Sequence, residues 1–118
     1  MQERQALDAF GALSQDTRLR IVRLLVQAGP DGMAAGAIGK AVRASSSNAS
    51  FHLSHLERAG LIRSRREARS IVYSADVDGL TGLIRFLMED CCRGRPEICE
   101  PALTSVLAPC CEPEKADA

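Results

Sequence analysis

The sequence has few aromatic residues and no long apolar run. Of its 118 residues only 3% are aromatic and none is tryptophan. The core must therefore be built from Leu, Ile, Val, Ala and Met. No apolar stretch is long enough to span a bilayer, and the N-terminus has no basic segment followed by an apolar run, as a signal peptide would. We expect a cytoplasmic protein with no membrane partner.

The sequence also lacks the motifs of an enzyme. A phosphatase-like loop needs an arginine six residues after its cysteine, but Glu97 and Ile98 stand at those positions after Cys91 and Cys92. No phosphate-binding loop and no acid/base pair stand elsewhere. We expect no catalytic activity, no catalytic residue and no catalytic cofactor.

The net charge is zero, but the charges are segregated along the chain. Residues 40–75 carry seven basic and two acidic side chains, whereas residues 76–118 carry nine acidic and four basic ones. A basic middle segment suits contact with phosphates, and an acidic tail does not. The neutral total therefore conceals a candidate nucleic-acid-binding segment.

Five cysteines lie within the last third of the chain, between residues 91 and 111. Their odd number, and the reducing compartment expected here, argue against a disulfide framework. Cysteines clustered in this way indicate metal binding or redox chemistry. We predict a domain over residues 1–92 and a cysteine-bearing, partly disordered arm over residues 93–118.

Apolar periodicity predicts helices over residues 3–13, from an N-cap at Ser14 to about Ala28, over residues 34–42, from an N-cap at Ser45 or Ser46 to Gly60, and over residues 77–91. In the second helix, the stripe expected to pack consists of Leu19, Val22, Leu25 and Val26. Residues 61–66 and 70–74 alternate apolar and polar side chains, which predicts a β-hairpin. The fold expected is mainly α with a small β-hairpin, a winged helix-turn-helix of about five helices plus a wing.

The fourth predicted helix places different chemistry on its two sides. Ala49, Leu53 and Leu56 face the core, with His52 at the margin, and the opposite face carries hydroxyls, an amide, an imidazole and Phe51. Such a face suits a major groove, and Phe51 suits a thymine methyl. The alternative is an ordinary amphipathic surface helix. The DNA-contacting residues predicted on this helix are Ser46, Ser47, Asn48, Ser50, Phe51, His52, Ser54 and His55.

The hairpin that follows is rich in arginine. Although a run of charge is often only a solvated surface, this one directly follows a helix suited to base contact. We predict phosphate contacts from Arg63, Arg65, Arg66 and Arg69.

Three segments together resemble the arsenic-repressor (ArsR/SmtB) family of winged-helix repressors. They are ALSQDTRLRIVRLL (residues 12–25), SNASFHLSHLERAGLIRSRREARSIVYS (residues 47–74) and the last helix with its terminal cysteines. The resemblance covers residues 5 to about 92. It implies a homodimer joined by its first and last helices, bound to a palindromic operator in double-stranded DNA and released when an effector binds.

The family's effector sites occupy different positions, and most lack their ligands here. Residues 36–40 carry no cysteine, which removes one site. A zinc site between the last helices would fall on Asp76, Asp78, Glu89 and Cys92, which form a poor zinc site without histidine. His52 and His55 are better explained by DNA contact or packing than by metal binding.

Cys91, Cys92 and Cys99 remain as candidate ligands. Thiolates select soft ions, and three of them suit As(III) or Sb(III), which we predict as the effector. Arg93 and Arg95 favour the thiolate form. Cys110 and Cys111 are possible auxiliary ligands. Two alternatives stay open: a thiol redox sensor on the same scaffold, with a disulfide from Cys91 or Cys92 to Cys99 or Cys110, and a thiol-rich metal carrier.

Overall fold

A computed structural model describes residues 1–88, so all five cysteines lie outside the described residues. The chain divides into two compact units, Met1–Phe86 and Leu87–Ala118, and only the first two residues of the second unit are described. The division into residues 1–92 and 93–118 stays a prediction.

Five helices and a small antiparallel sheet make up the described part of the chain. This confirms the fold expected from the sequence. The elements are α1 (Glu3–Leu13), α2 (Asp16–Ala28), a 3-10 turn (Gly29–Asp31), β1 (Met33–Ala34), α3 (Ala35–Val42), α4 (Ser46–Arg58), β2 (Ile62–Glu67), β3 (Ser70–Ala75) and α5 (Val77–Met88).

The hairpin β2-β3 is part of a three-stranded sheet with the strand order β1-β3-β2, in which β3 is the central strand. β2 and β3 pair from Ile62 opposite Ala75 to Glu67 opposite Ser70. The sequence analysis missed β1, because two residues are too few to show an alternating pattern. Gly32 precedes β1 at φ +71°, and a Cβ there would collide with the Tyr73 carbonyl group, so this position requires glycine.

Small residues bring α1 against the core. Its buried side chains are Ala6, Ala9 and Ala12, whereas Leu7 and Phe10 are 55% and 40% exposed. The expected packing stripe of α2 is partly wrong, because Leu19 and Val26 are exposed and Ile21 is buried instead. The largest fully buried side chains are Ile21, Leu25, Ile38, Leu53, Leu56, Leu61 and Ile62.

The predicted N-cap of α2 is wrong. Ser14 is the C-cap of α1, where its hydroxyl donates to the Gly11 carbonyl at 2.8 Å. Gln15 takes the extended conformation of an N-cap, and its side-chain oxygen accepts from the Arg18 amide at 2.9 Å. Because α1 continues to Leu13, Ser14 still lies in the turn that closes it and cannot begin the next helix.

The start of α5 packs directly on the turn between α4 and β2. The Asp76 amide donates to the Leu61 carbonyl at 2.9 Å, and the Asp76 carboxylate caps α5 by accepting from the Gly79 amide at 3.0 Å. A Cβ at Gly79 would overlap the Gly60 carbonyl oxygen. Glycine therefore allows the two backbones to touch. No helix within residues 1–88 is long and apolar enough to cross a membrane.

Replacing Gly79 with alanine should destabilise the protein, because the new methyl group would force α5 away from the Gly60 carbonyl. We expect a loss of about 1–3 kcal/mol, as for other over-packed sites. Urea unfolding at fixed protein concentration measures the change. Gly82→Ala is the matched control in the same helix, since its Cβ would meet only the end of Met1 at 3.7 Å. A Gly79→Ala protein as stable as Gly82→Ala would show that the two backbones do not touch.

Candidate nucleic-acid interface

Helices α3 and α4 form a helix-turn-helix with a tight connection. A Cβ on Gly39 would lie 3.5 Å from the Ala49 Cβ and 3.4 Å from the Ala44 carbonyl oxygen, so α3 lies in van der Waals contact with α4 at this position. Arg43 ends α3 in the left-handed conformation at φ 58°. Ser45 then caps α4, as one of two predicted caps, by accepting from the Asn48 amide at 3.2 Å.

Helix α4 is oriented by its three buried residues, Ala49, Leu53 and Leu56. Their burial leaves the opposite side of the helix in solvent, as the sequence indicates. Phe51 is 58% exposed, a large apolar side chain on an otherwise polar face. The predicted contact residues that the structure leaves exposed are Ser46, Ser47, Asn48, Ser50, Phe51 and Ser54.

The two histidines of α4 are only partly exposed and lie closer to the protein body. Nη1 of Arg18 donates to Nδ1 of His52 at 3.2 Å, although the two residues are 34 positions apart. Burial and the Arg18 cation lower the pKa of His52 below its ordinary value. Burial, followed by the Arg18 and Arg58 cations, also lowers the pKa of His55. Both effects favour neutral imidazoles.

The four predicted wing arginines divide into two pairs. Nη2 of Arg63 donates to the Asp76 carboxylate at 3.3 Å. Arg65 donates to the Glu67 carboxylate at 2.6 Å and to the Pro30 and Asp31 carbonyls at 3.2 and 2.7 Å. The structure thus places both in contacts that hold the wing to the body of the domain.

Arg66 and Arg69 form the second pair, at the tip of the wing. Both are exposed, and within residues 1–88 neither makes a hydrogen bond or an ion pair. Their cations are available to an external partner.

The sequence analysis did not assign Lys40 and Arg43 to the interface. Together with Ser46 and Ser50 they line a hollow of about 420 Å³ between α3 and α4. Both cations are exposed beside the polar end of α4. The sequence contained a signal that could have assigned them to the interface, because they are the last two basic residues before the cap of α4.

The predicted metalloid ligands Cys91, Cys92 and Cys99, and the possible auxiliary pair Cys110 and Cys111, lie outside the described residues and stay predictions. Residues 1–88 contain no group of three His, Cys, Asp or Glu side chains that could hold a metal ion.

Comparisons with known proteins agree with this architecture. A helix-turn-helix domain model matches residues 13–65. The homodimeric winged helix-turn-helix DNA-binding domain of Mb0332 from Mycobacterium bovis, a possible ArsR-family transcriptional regulator, is 31% identical; the match covers 73% of this chain and 80% of that one, with a TM-score of 0.58. No curated protein sequence matches the chain.

Two further solved structures are similar. A possible transcriptional regulator for arsenical resistance is 31% identical over 68% of this chain and 80% of that one, with a TM-score of 0.59. Reduced HlyU from Vibrio cholerae is 27% identical over 75% of this chain and 90% of that one, with a TM-score of 0.57.

The fold and its exposed α4 face define a winged helix-turn-helix regulator of transcription, a class of DNA-binding proteins rather than of enzymes. Within that class, the chain belongs to the ArsR family.

Replacing Arg65 with alanine should destabilise the protein, because it removes the hydrogen bonds that join β2 to the turn after α2. We expect a loss of about 1 kcal/mol, measured by urea unfolding. Arg66→Ala is the matched control on the neighbouring residue and should leave the stability unchanged. Equal stability of the two variants would mean that the Arg65 contacts do not hold the wing.

Proposed function

We propose that this protein is a transcriptional repressor that binds operator DNA as a homodimer and releases it when trivalent arsenic or antimony binds to Cys91, Cys92 and Cys99. The observation that carries the DNA-binding part is the exposed face of α4 beside the exposed wing-tip cations of Arg66 and Arg69. The effector part rests on the donor chemistry of the thiols.

The chemistry of the α4 face supports base contact in a major groove. Ser47 and Ser54 offer hydroxyls, Asn48 offers an amide, and Phe51 offers an apolar surface for a thymine methyl. The acidic residue of this helix, Glu57, is directed toward the wing, where its carboxylate accepts from the Ser64 hydroxyl at 2.7 Å. Arg66 and Arg69 extend the positive surface toward the flanking backbone.

Exposed apolar side chains on α1 support a two-fold dimer. Leu7 and Phe10 lie outside the buried alanine face of α1 and are 55% and 40% exposed in the single chain. Contact with a second copy would cover them. Because a two-fold dimer presents two copies of α4, it suits a palindromic operator with half-sites one or more helical turns apart. The M. bovis structure, which is homodimeric, agrees with this assembly.

The three thiols are a suitable donor set for a soft, three-coordinate ion. Cys91 and Cys92 are adjacent, and Cys99 follows after six residues. Such an ion would be held by sulfur alone, and neighbouring Arg93 and Arg95 would raise the thiolate fraction. The description of one similar structure as a possible regulator for arsenical resistance supports this effector.

A mechanical connection between α5 and α4 supports release by an event at the end of α5. The first turn of α5 touches the end of α4, where Gly79 meets Gly60 and the Asp76 amide bonds to the Leu61 carbonyl. A shift of α5 would therefore displace α4. Release of DNA requires only that the effector bind the non-DNA conformation more tightly.

Removal of the wing cations should weaken the salt dependence of DNA binding. Arg66→Ala and Arg69→Ala should each lower the slope of log affinity against log salt by about 0.9, the value for one lost phosphate contact. Fluorescence anisotropy with a labelled promoter duplex measures the slope. Ser70→Ala, at the start of the neighbouring strand, is the control. An unchanged slope in both arginine variants would rule out phosphate contact by the wing tip.

Replacing the proposed ligands should separate DNA binding from release. Cys91→Ser, Cys92→Ser and Cys99→Ser should each retain the promoter duplex but resist its release by arsenite, because an oxygen replaces a soft thiolate. Titration of the DNA complex measures release, and X-ray absorption counts the sulfur atoms bound to arsenic. Normal release from all three variants would refute this site.

A redox sensor is the second candidate, favoured by a similar structure described as reduced HlyU. Here Cys91 or Cys92 would form a disulfide with Cys99 or Cys110, with two electrons passing to a peroxide that is reduced to water. Peroxide without arsenite would then release DNA, and a thiol reductant would restore binding. A protein that responds only to arsenite excludes this candidate.

A further inference from the structure

Arg18 joins three helices at one point. Its Nε donates to the Ala12 carbonyl near the end of α1 at 2.7 Å, and its Nη1 reaches Nδ1 of His52 on α4 at 3.2 Å. Its own backbone belongs to the first turn of α2. A single guanidinium therefore connects α1, with its exposed apolar residues, to the helix whose outer face is suited to base contact.

The bond to His52 requires an unprotonated Nδ1. Arginine has donors only, so Nδ1 must supply its lone pair, and the ring proton must reside on Nε2. A protonated imidazole has N–H groups at both positions and would place a second cation against Arg18. Protonation therefore breaks this connection and replaces it with repulsion.

From these contacts we infer that Arg18 is a positioning residue that holds α4 in its DNA-binding orientation through neutral His52, and that protonation of His52 loosens α4 and weakens operator binding. This inference rests on the proposed DNA-binding function.

The charged groups around His52 favour its neutral form. Arg18 from α2 and His55 from α4 itself oppose a positive charge on the ring, and only Asp16 from α2 favours it. Phe51 covers one side, with its ring centroid 5.5 Å from that of His52. These charged groups belong to α2 and to α4 itself. The neutral form is thus the resting form near neutral pH.

The two possible roles of His52, direct DNA contact and action through Arg18, predict opposite changes of DNA affinity with pH. If His52 touched a phosphate, protonation would add a favourable charge, and affinity would rise as the pH falls. If His52 acts through Arg18, affinity should fall as the pH drops below the ordinary imidazole pKa of about 6.5, because the pKa of His52 is itself lowered. The direction of the change therefore separates the two roles.

The experiment measures the affinity of the full-length protein for DNA at about pH 7.5 and about pH 5.5, at constant salt. The probe is a duplex that the wild-type protein selects from a random pool. We expect wild-type affinity to fall roughly threefold to tenfold, the equivalent of one lost hydrogen bond. His52→Asn should abolish the fall, because the asparagine oxygen occupies the position of Nδ1 and accepts from Arg18 at both pH values.

His55→Asn is the matched control, with the same substitution three residues along the same helix. Its affinity for DNA should still fall at the lower pH, as in the wild-type protein. Arg18→Gln should bind DNA weakly at both pH values, with no further loss of affinity at the lower one. Circular dichroism checks that this variant folds. Nitrogen NMR of the wild-type protein should show a proton on Nε2 and none on Nδ1 at the higher pH.

Two results would overturn the inference: a wild-type affinity that rises at low pH, or a fall that persists in His52→Asn. Failure of the proposed function is a different result, since a wild-type protein that selects no duplex at either pH does not bind DNA in a sequence-specific way.

Discussion

The burial of one side of α4 is the constraint on which the rest of the structure depends. Leu53 and Leu56 are fully buried, and each such side chain contributes about 1.5–3 kcal/mol relative to an exposed one. With a helical period of 3.6 residues, their burial leaves Ser47, Phe51 and Ser54 in solvent. The helix cannot rotate about its axis without exposing leucine, so the surface offered to DNA is as rigidly determined as the core itself.

Small residues allow this domain to do without large aromatic ones. Alanines on α1 leave only small side chains between that helix and the core, and Gly79 on α5 allows two backbones to touch. Close packing of this kind transmits displacement, since tightly packed elements cannot move independently. The Gly79 contact with Gly60 is therefore part of the fold and, in the proposed mechanism, also the route by which a change in α5 would reach α4.

The basic residues show how far charge alone can identify an interface. Arg63, Arg65 and Arg66 lie within four residues of one strand, yet the first two bond to the domain and the third makes no such bond within residues 1–88. The two histidines of α4 also differ in their partners, because His52 bonds to Arg18 of α2. A residue type indicates what a side chain can do, and its neighbours in space determine what it does.

Local patterns in the sequence were enough to determine the five helices, the hairpin and the outward face of α4. These features depend on the order of residues within one or two turns, which the sequence states directly. Only the tertiary structure decided that β1 exists, that Gln15 rather than Ser14 caps α2, that alanine rather than Leu7 or Phe10 packs in the core, and that Arg18 meets His52. Such features depend on where each element ends and on which elements meet, and no local period encodes a contact between residues 34 positions apart.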